Sequence, residues 1–474
     1  MTITSPCPVV PSGPAPSGPA PSRPAPSRLV SERPAPAAAR PWSFPASREF
    51  RLGSGLRVRH IARPGHRLAA IGLFLDTPLE EEPEGLDGVA ELTSRSLQEG
   101  SASLHGAAFA AEIERHGATF DSIAAPNGIV LALQVPQSGL ERVLALVADT
   151  LCEPAFPERE VARLRGQRLD EIEHEEAAPN TRAFNGLLAS LIGPGHRSSR
   201  PAAGTRDTVA RIGHEEVRAF YDTHARPATA TVAIAADLST EDLNRVLERT
   251  LGHWTGPAAR LSTVRPVTTD DRTRMVIIDR PGAVQTTIMA GRAGPDRSAP
   301  SWPAQSIGIH CLGGGLTSRL DQELRERRGY TYGVTACAQP MRSVGILSIG
   351  GAVATAATGP AVRDVFGVLR GVSEGLGQEE RTAAVRNLVG VAPLQYQTAT
   401  SVVKAVVRAS AERLPADYLT TIHDRLAAVT APEATEALLA AFPTDRLVVV
   451  TVGDAAAIRH PLEDLGLGPV RVIG

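Results

Sequence analysis

Zinc chemistry on a helix needs two histidines three or four positions apart, so that both imidazoles meet one ion. The twelve histidines of this chain stand at positions 60, 66, 105, 116, 174, 196, 214, 224, 253, 310, 423 and 460, and no two lie within four residues of each other. HExxH and HxxEH are therefore both absent. His174-Glu175-Glu176 and His214-Glu215-Glu216 have ligand-like composition but no second histidine in register, and fit a solvated helix face or a helix start. Neither a GxSxG nucleophile turn nor a GxxxxGK[ST] phosphate loop occurs. Gly313-Gly314-Gly315 precedes Thr317 and Ser318, either of which could cap a helix, but no lysine follows. A tight turn between two helices accounts for the three glycines. The four cysteines, Cys7, Cys152, Cys311 and Cys337, are scattered, which speaks for a reducing, cytoplasmic setting rather than a disulfide scaffold.

The elements that must carry any chemistry form two similar runs. The chain has 474 residues, 42% apolar and 21% charged, with net charge −2; this is a globular composition of two or more domains. Near-neutral charge argues against nucleic acid as a partner. The longest apolar runs, such as Ala69–Leu75 and Leu447–Val452, are strand-sized, so no membrane span is expected. Residues 1–45 hold 13 of the 38 prolines, in near-repeats such as Pro14-Ala15-Pro16-Ser17, and read as a disordered tail.

From Phe50 onward, short strands lead to helices at Gly88–Gln98 and His105–His116, then to paired strands and long helices at about Glu141–Cys152 and Glu158–Glu175. A proline-bearing connector follows. Strands at Arg274–Asp279 and Gln285–Ala290 then open the same order again, with helices at Ser301–Leu312 and Ser318–Arg327. In the first half a helix ending Arg115-His116 leads to Gly117-Ala118-Thr119-Phe120. In the second, one ending Arg327-Arg328 leads to Gly329-Tyr330-Thr331-Tyr332, about 210 residues later. The expected division is 1–45 tail, 46–255 first domain, 256–272 linker and 273–474 second domain.

The stretch Gly313–Val334, GGGLTSRLDQELRERRGYTYGV, strongly resembles the C-terminal domain of the pitrilysin/insulinase family of zinc peptidases, which includes the mitochondrial processing peptidases. The match rests on Ser318-Arg319-Leu320, Leu324-Arg325-Glu326, Arg328-Gly329 and Tyr332. The duplicated organisation fits, as does Phe220-Tyr221 before Arg226-Pro227. The resemblance implies an α+β fold of two homologous domains, each a mainly antiparallel sheet with helices on one face, forming half of a clamshell.

In active members the first half carries HxxEH within a Gly-x-x-His-x-x-Glu-His-x4-Gly-Thr frame; the histidines hold zinc and the glutamate is the base. Setting Gly88 and Gly100-Ser101 on that frame puts Glu91, Ser94 and Arg95 at the three motif positions. A guanidinium has no lone pair to offer a metal. Glu171, 76 residues beyond Arg95, falls near the third-ligand position, with an exposed helix residue as the alternative. The family also has an Arg and a Tyr seven residues apart that reach across to the zinc site, and Arg325 and Tyr332 match them.

The resemblance therefore implies the non-zinc subunit of a heterodimeric zinc peptidase. Arg325 would bind substrate carbonyls and Tyr332 would stabilise the oxyanion, both in trans. The chain itself would bind no cofactor; zinc would sit in a homologous HxxEH partner. The substrate would be a peptide, added as a strand to a sheet edge, with leader-peptide processing a use such pairs serve. The alternative is an inert scaffold of the same fold.

Overall fold

The central strands read as unbroken apolar runs, LAAIGLFL in Leu68–Leu75 and VVVTVG in Val448–Gly453. A strand buried on one face alternates; one buried on both does not. The computed structural model, which describes residues 42–474 apart from 270, 271 and 343, shows both faces covered. The strands are β1 (Arg48–Arg51), β2 (Arg57–Ala62), β3 (Leu68–Leu75), β4 (Thr119–Ala125), β5 (Gly128–Pro136) and β6 (Thr231–Ala236) in the first half. The second half has β7 (Arg274–Asp279), β8 (Gln285–Gly294), β9 (Val334–Met341), β10 (Val344–Ala354), β11 (Val448–Gly453) and β12 (Val470–Ile473).

They form two six-stranded sheets, ordered β1-β2-β6-β3-β5-β4 and β12-β7-β11-β8-β10-β9. Five strands correspond in order and direction: β2 with β6 and β7 with β11 are parallel, and the remaining pairs antiparallel. The sixth strands do not correspond, since β1 runs antiparallel to β2 whereas β12 runs parallel to β7. The two halves are thus a duplication of the same α+β unit, as the sequence parallel implies.

In the first half α1 (Val89–Leu97), α2 (Gly106–Arg115), α3 (Leu140–Cys152), α4 (Glu158–Ala177) and α5 (Pro179–Leu191) lie between β3 and β6. The helix α5 was not foreseen: only Ala178 separates it from α4, and Pro179 starts it anew at its first turn. It does not cover its own sheet. Ala183, Leu187, Leu188 and Leu191 of α5 pack with Val276, Ile278, Val448 and Val450 of the second sheet.

Reciprocally, the helix Ala399–Ala411, which holds the place of α5 in the second half, sets Val402, Val403, Val406 and Val407 in one cluster with Ala70, Phe74, Ala233 and Ala235 of the first sheet. Val403 and Val407 close over Gly72, where a Cβ would lie 2.9 and 2.6 Å from their methyls. The opposite face of β3, through Ile71, Leu73 and Leu75, packs on the first half's own helices. Each sheet therefore has its own helices on one face, as expected, and one helix of the other half on the second. Roughly 1.5–3 kcal/mol for each fully buried valine makes that exchange a large share of the union of the halves.

Ionic ties reinforce it. Asp76, at the end of β3 and nearly inaccessible, accepts Arg342 Nη2 at 2.8 Å and Arg413 Nη2 at 2.9 Å from the second half. The linker joins in through Ser262, whose amide and hydroxyl both lie 2.9 Å from the same carboxylate. Trp42 stacks on Tyr396 at 5.7 Å between ring centroids and Phe44 is buried, so the chain enters the first sheet by way of the second half. The remainder of the proline-rich segment lies outside the described residues. No helix among the described residues is long and apolar enough to cross a membrane.

Candidate functional site

The family frame's two glycines are explained by backbone alone. Gly88, φ +100°, precedes α1, and a Cβ there would stand 2.9 Å from the Ala203 carbonyl; Gly100, φ +90°, is equally closed to side chains. The turn before α1 is held by groups that the sequence did not reveal. Buried Glu82 accepts Gly88 N at 3.1 Å and Ala90 N at 2.9 Å through one oxygen, and Arg197 Nε at 2.7 Å through the other. Burial pushes its carboxyl up to about 7 against the attraction of Arg197. Asp87 takes Arg200 through both oxygens. The only sign in the sequence was an acidic run at Glu80–Glu82, which reads equally as surface.

On α1, Glu91 and Arg95 stand one turn apart, and Arg95 Nε donates to Glu91 Oε1 at 2.7 Å. The neighbouring α4 presents Arg168, Glu171 and Glu175 along one face. Arg95 Nη1 and Nη2 donate to the two oxygens of Glu171 at 2.8 and 2.7 Å, a fork-to-fork pair. Arg168, 2% exposed, takes Glu175 in the same way at 2.7 Å twice and reaches Glu171 at 3.2 Å. Ser94 turns inward to Ser122 Oγ on β4 at 3.0 Å.

Of the three altered motif positions, Glu91 and Arg95 are thus brought together with Glu171 around the Arg95 guanidinium, while Ser94 is turned to Ser122. Arg95 lies between the two carboxylates and supplies the cation. No cluster of three or more His, Cys, Asp or Glu among the described residues could hold a metal. Zinc does not fit this arrangement, since the central group is a donor with no free lone pair. Burial alone would lower the pKa of Arg95, but its bonds to Glu171 and Glu91 raise it well above the ordinary value. In turn Arg95 first, and Arg168 after it, hold the Glu171 carboxyl below the usual range against its partial burial. Glu171 is therefore neither a ligand nor an idle exposed residue. His174 and His214 bond backbone carbonyls, Asp170 O at 2.8 Å and Phe156 O at 2.6 Å.

The edge strand β4 beside this cluster is partly blunted. Ser122 N donates to Asp121 Oδ1 at 2.8 Å, and Ser122 O accepts Gln98 Nε2 at 3.0 Å. An incoming peptide strand would have to displace both.

In the second half most of the signature is scaffold. Arg319 forks onto Glu380 at 2.7 and 2.8 Å and caps the Gly375 carbonyl at 2.7 Å. Leu320 and Leu324 are core, and Arg328 pairs with Glu323 and Asp364. Gly313 to Gly315 turn between the helix Trp302–Gly313 and the next helical segment, as expected. That segment, Asp321–Arg327, is a π-helix rather than the α-helix expected; Arg328 N reaches back five residues to Glu323 O at 3.1 Å.

Arg325 makes one loose ion pair, 3.5 Å to Glu326, and stays half-open to solvent. Tyr332 is 90% exposed. Its ring does not pack, and the two side chains stand at the same helix-to-strand junction. No hydrogen bond or ion pair among the described residues joins Arg325 or Tyr332 to the Arg95 cluster.

A duplicated sheet-and-helix unit, with one half carrying an altered HxxEH frame and the other an Arg–Tyr pair, defines a two-domain protein of the metallopeptidase-like class. Comparison with known proteins agrees. Residues 57–201 match the family model described as insulinase (peptidase family M16), and residues 211–388 match that of the peptidase M16 inactive domain. The chain belongs to the pitrilysin/insulinase (M16) peptidase family.

It is 26% identical over 299 residues to an uncharacterized zinc protease of Mycobacterium leprae, covering 63% of this chain and 67% of that one. A Streptomyces coelicolor uncharacterized zinc protease is 26% identical over 307 residues, 64% and 66% of the two chains. The match thus spans about two thirds of each relative's length. Among solved structures, a peptidase M16 inactive domain from Pseudomonas fluorescens superposes with TM-score 0.80 at 25% identity, covering 86% of this chain and 98% of that one. A Helicobacter pylori protease shares the fold with TM-score 0.80 at 14% identity, covering 86% and 100%.

Proposed function

We propose that this chain is the non-zinc subunit of a heterodimeric zinc metallopeptidase that processes peptides, with leader-peptide removal as its use. One observation carries the reading. The metal position of this chain is filled by Arg95, while Arg325 and Tyr332 face solvent without a firm partner of their own. The neighbouring arginines, Arg319, Arg327 and Arg328, are by contrast each paired with a carboxylate. A homologous HxxEH subunit would bring the zinc and its activated water. Arg325 would lay its planar fork of N–H donors on substrate carbonyls, holding them in ground and transition states alike. The Tyr332 hydroxyl would donate to the oxygen that becomes negative as the peptide carbonyl turns tetrahedral, and its benefit would be realised only there. With β4 blunted at Ser122, the peptide strand would be taken chiefly by the partner's sheet edge.

The scaffold reading rests on the same altered zinc frame, and the two diverge in one experiment. A homologous HxxEH-containing chain from the same genome, co-expressed with this one, should give a stable 1:1 complex burying more than about 1,000 Å². Tyr332→Phe should leave assembly and the partner's zinc intact and lower kcat of the complex. Full activity of Tyr332→Phe and Arg325→Ala in an assembled complex would leave the chain a wall of the chamber.

A further inference from the structure

Asp321 is buried, 5% exposed, yet forms no ion pair within 4 Å among the described residues. A carboxylate out of water needs compensation, and this one has a single hydrogen bond, from Val334 N to Oδ1 at 3.2 Å. That bond joins the first residue of the π-helical segment to the first residue of β9, across the whole loop that carries Tyr332.

The loop's other bonds are local. Gly329 N reaches Arg325 O at 3.0 Å and Tyr330 N reaches Leu324 O at 2.9 Å, finishing the helix. Thr331 Oγ1 and the Gly333 backbone bond each other at 3.0 and 3.2 Å. None of these ties the far end of the loop to the helix that bears Arg325. Asp321 does so from directly beneath: a Cβ on Gly333 would lie 3.8 Å from Oδ1. The same carboxylate feels the positive charge of Arg325 and, against it, the negative charge of Glu326.

We propose that Asp321 is a positioning residue, whose carboxylate holds the Tyr332 loop against the π-helical segment and so sets Tyr332 relative to Arg325. It touches no substrate; it acts through the other two. The catalytic consequence rests on the function proposed above; the mechanical hold does not.

The test therefore has two arms. In the full chain alone, amide hydrogen exchange is followed in peptides spanning residues 329–334. Asp321→Ala should speed exchange there about 10- to 100-fold, the worth of one hydrogen bond to a charged group. Peptides from β3 and from Trp302–Gly313 should be unmoved. Asp321→Asn keeps an acceptor oxygen and should restore most of the protection. Asp321→Ser, too short to reach Val334, replaces the alanine variant if that does not fold. Unchanged exchange in Asp321→Ala or Asp321→Ser overturns the inference, whatever the chain does in catalysis.

In the assembled complex, with a library of quenched fluorogenic peptides as probe, Asp321→Ala should lower kcat more than it raises KM. The loss should largely vanish in a Tyr332→Phe background. An equal loss in both backgrounds would overturn action through Tyr332. A loosened loop with a silent Tyr332→Phe would instead retire the proposed function and leave the hold of Asp321 standing.

Discussion

If Arg95 supplies the cation at the metal position, removing its charge should leave Glu91 without its hydrogen-bonded cation and Glu171 with only Arg168, 3.2 Å away. Arg95→Met keeps most of the volume and deletes three charge-assisted hydrogen bonds. Each is worth about 1.5–3 kcal/mol where water is excluded, but exclusion is unequal. The Glu91 side chain is 17% exposed and that of Glu171 is 44% exposed. We take about 2 kcal/mol for the Glu91 side and about 1 kcal/mol for the solvated Glu171 side, or about 3 kcal/mol in total.

At about 2.1 cal/mol/K per residue of unfolding entropy, that lowers Tm by roughly 7 °C if the first half unfolds alone. Because the halves exchange helices, unfolding as one unit is the expectation, and the shift is then about 3 °C. Urea unfolding followed by circular dichroism and tryptophan fluorescence reads the free energy, and a thermal scan reads the size of the unit. Arg95→Met combined with Glu91→Gln and Glu171→Gln should recover most of the loss, since no charge is then left unpaired. Arg95→Lys should recover less, as an ammonium cannot fork onto Glu171 while also reaching Glu91.

The pH dependence has a definite sign. The Glu171 carboxyl is held below its ordinary 4.5, so its stabilisation is complete above that value and is lost as pH falls through the lower folded pKa. Wild type and Arg95→Met should therefore converge in acid. An Arg95→Met chain as stable as wild type at pH 7 would refute the account.

Three further outcomes are expected. Tyr332→Phe in the assembled complex should lower kcat by about 10²-fold with zinc content unchanged, and Arg325→Ala should act mainly on KM with poor rescue by lysine, both read from steady-state kinetics. Elemental analysis should find no stoichiometric zinc in the purified chain, whereas Glu91→His with Ser94→Glu and Arg95→His, which restores HxxEH opposite Glu171, should bind about one zinc per chain. Asp76→Ala strands the buried Arg342 and should cost about 3–5 kcal/mol, seen in urea unfolding together with faster proteolysis within the linker.

Much of this was legible in the residues. The duplication showed in the repeated helix–Gly–hairpin order around Gly117 and Gly329, and five of the six strands of each sheet repeat it in order and direction. The altered metal frame was readable because a motif is defined by residue type at fixed offset, and Arg95 cannot ligate. What the alignment of positions could not supply was what Arg95 does instead. Its partner on α4 stands 76 residues away, and an i to i+4 pair with Glu91 is all that local sequence offers. The exchange of α5 and Ala399–Ala411 was hidden for the same reason. The continuous apolar runs in β3 and β11 are what two covered faces require, but alone they read only as strands with helices on one face, and an amphipathic helix does not state whose sheet it will cover. Sequence offers Asp321 only as an acid near enough to pair with Arg325; the fold instead buries it and bonds it to Val334 N.

The two halves therefore treat their inherited positions in opposite ways, and the physical reason is charge. A metal site is a cation surrounded by acceptors; take the cation away and the acceptors repel. In the first half, Glu91 and Glu171 remain as acceptors and Arg95 answers them from within the chain, so α1 and α4 stay clasped without any ion. Closing that circuit lets the clasp between α1 and α4 hold without a metal. In the second half the charges of Arg319, Arg327 and Arg328 are likewise answered, by Glu380, Glu323 and Asp364. Arg325 is the arginine of that segment left with only a loose partner, and Tyr332, in the loop that follows it, is open to solvent. A donor fork and a phenol held at one junction, on a base anchored by Arg319 and Asp321, form a surface that is complete in its support and incomplete in its ligands. In the function proposed above, a peptide carbonyl completes it, since its oxygen offers acceptors to both.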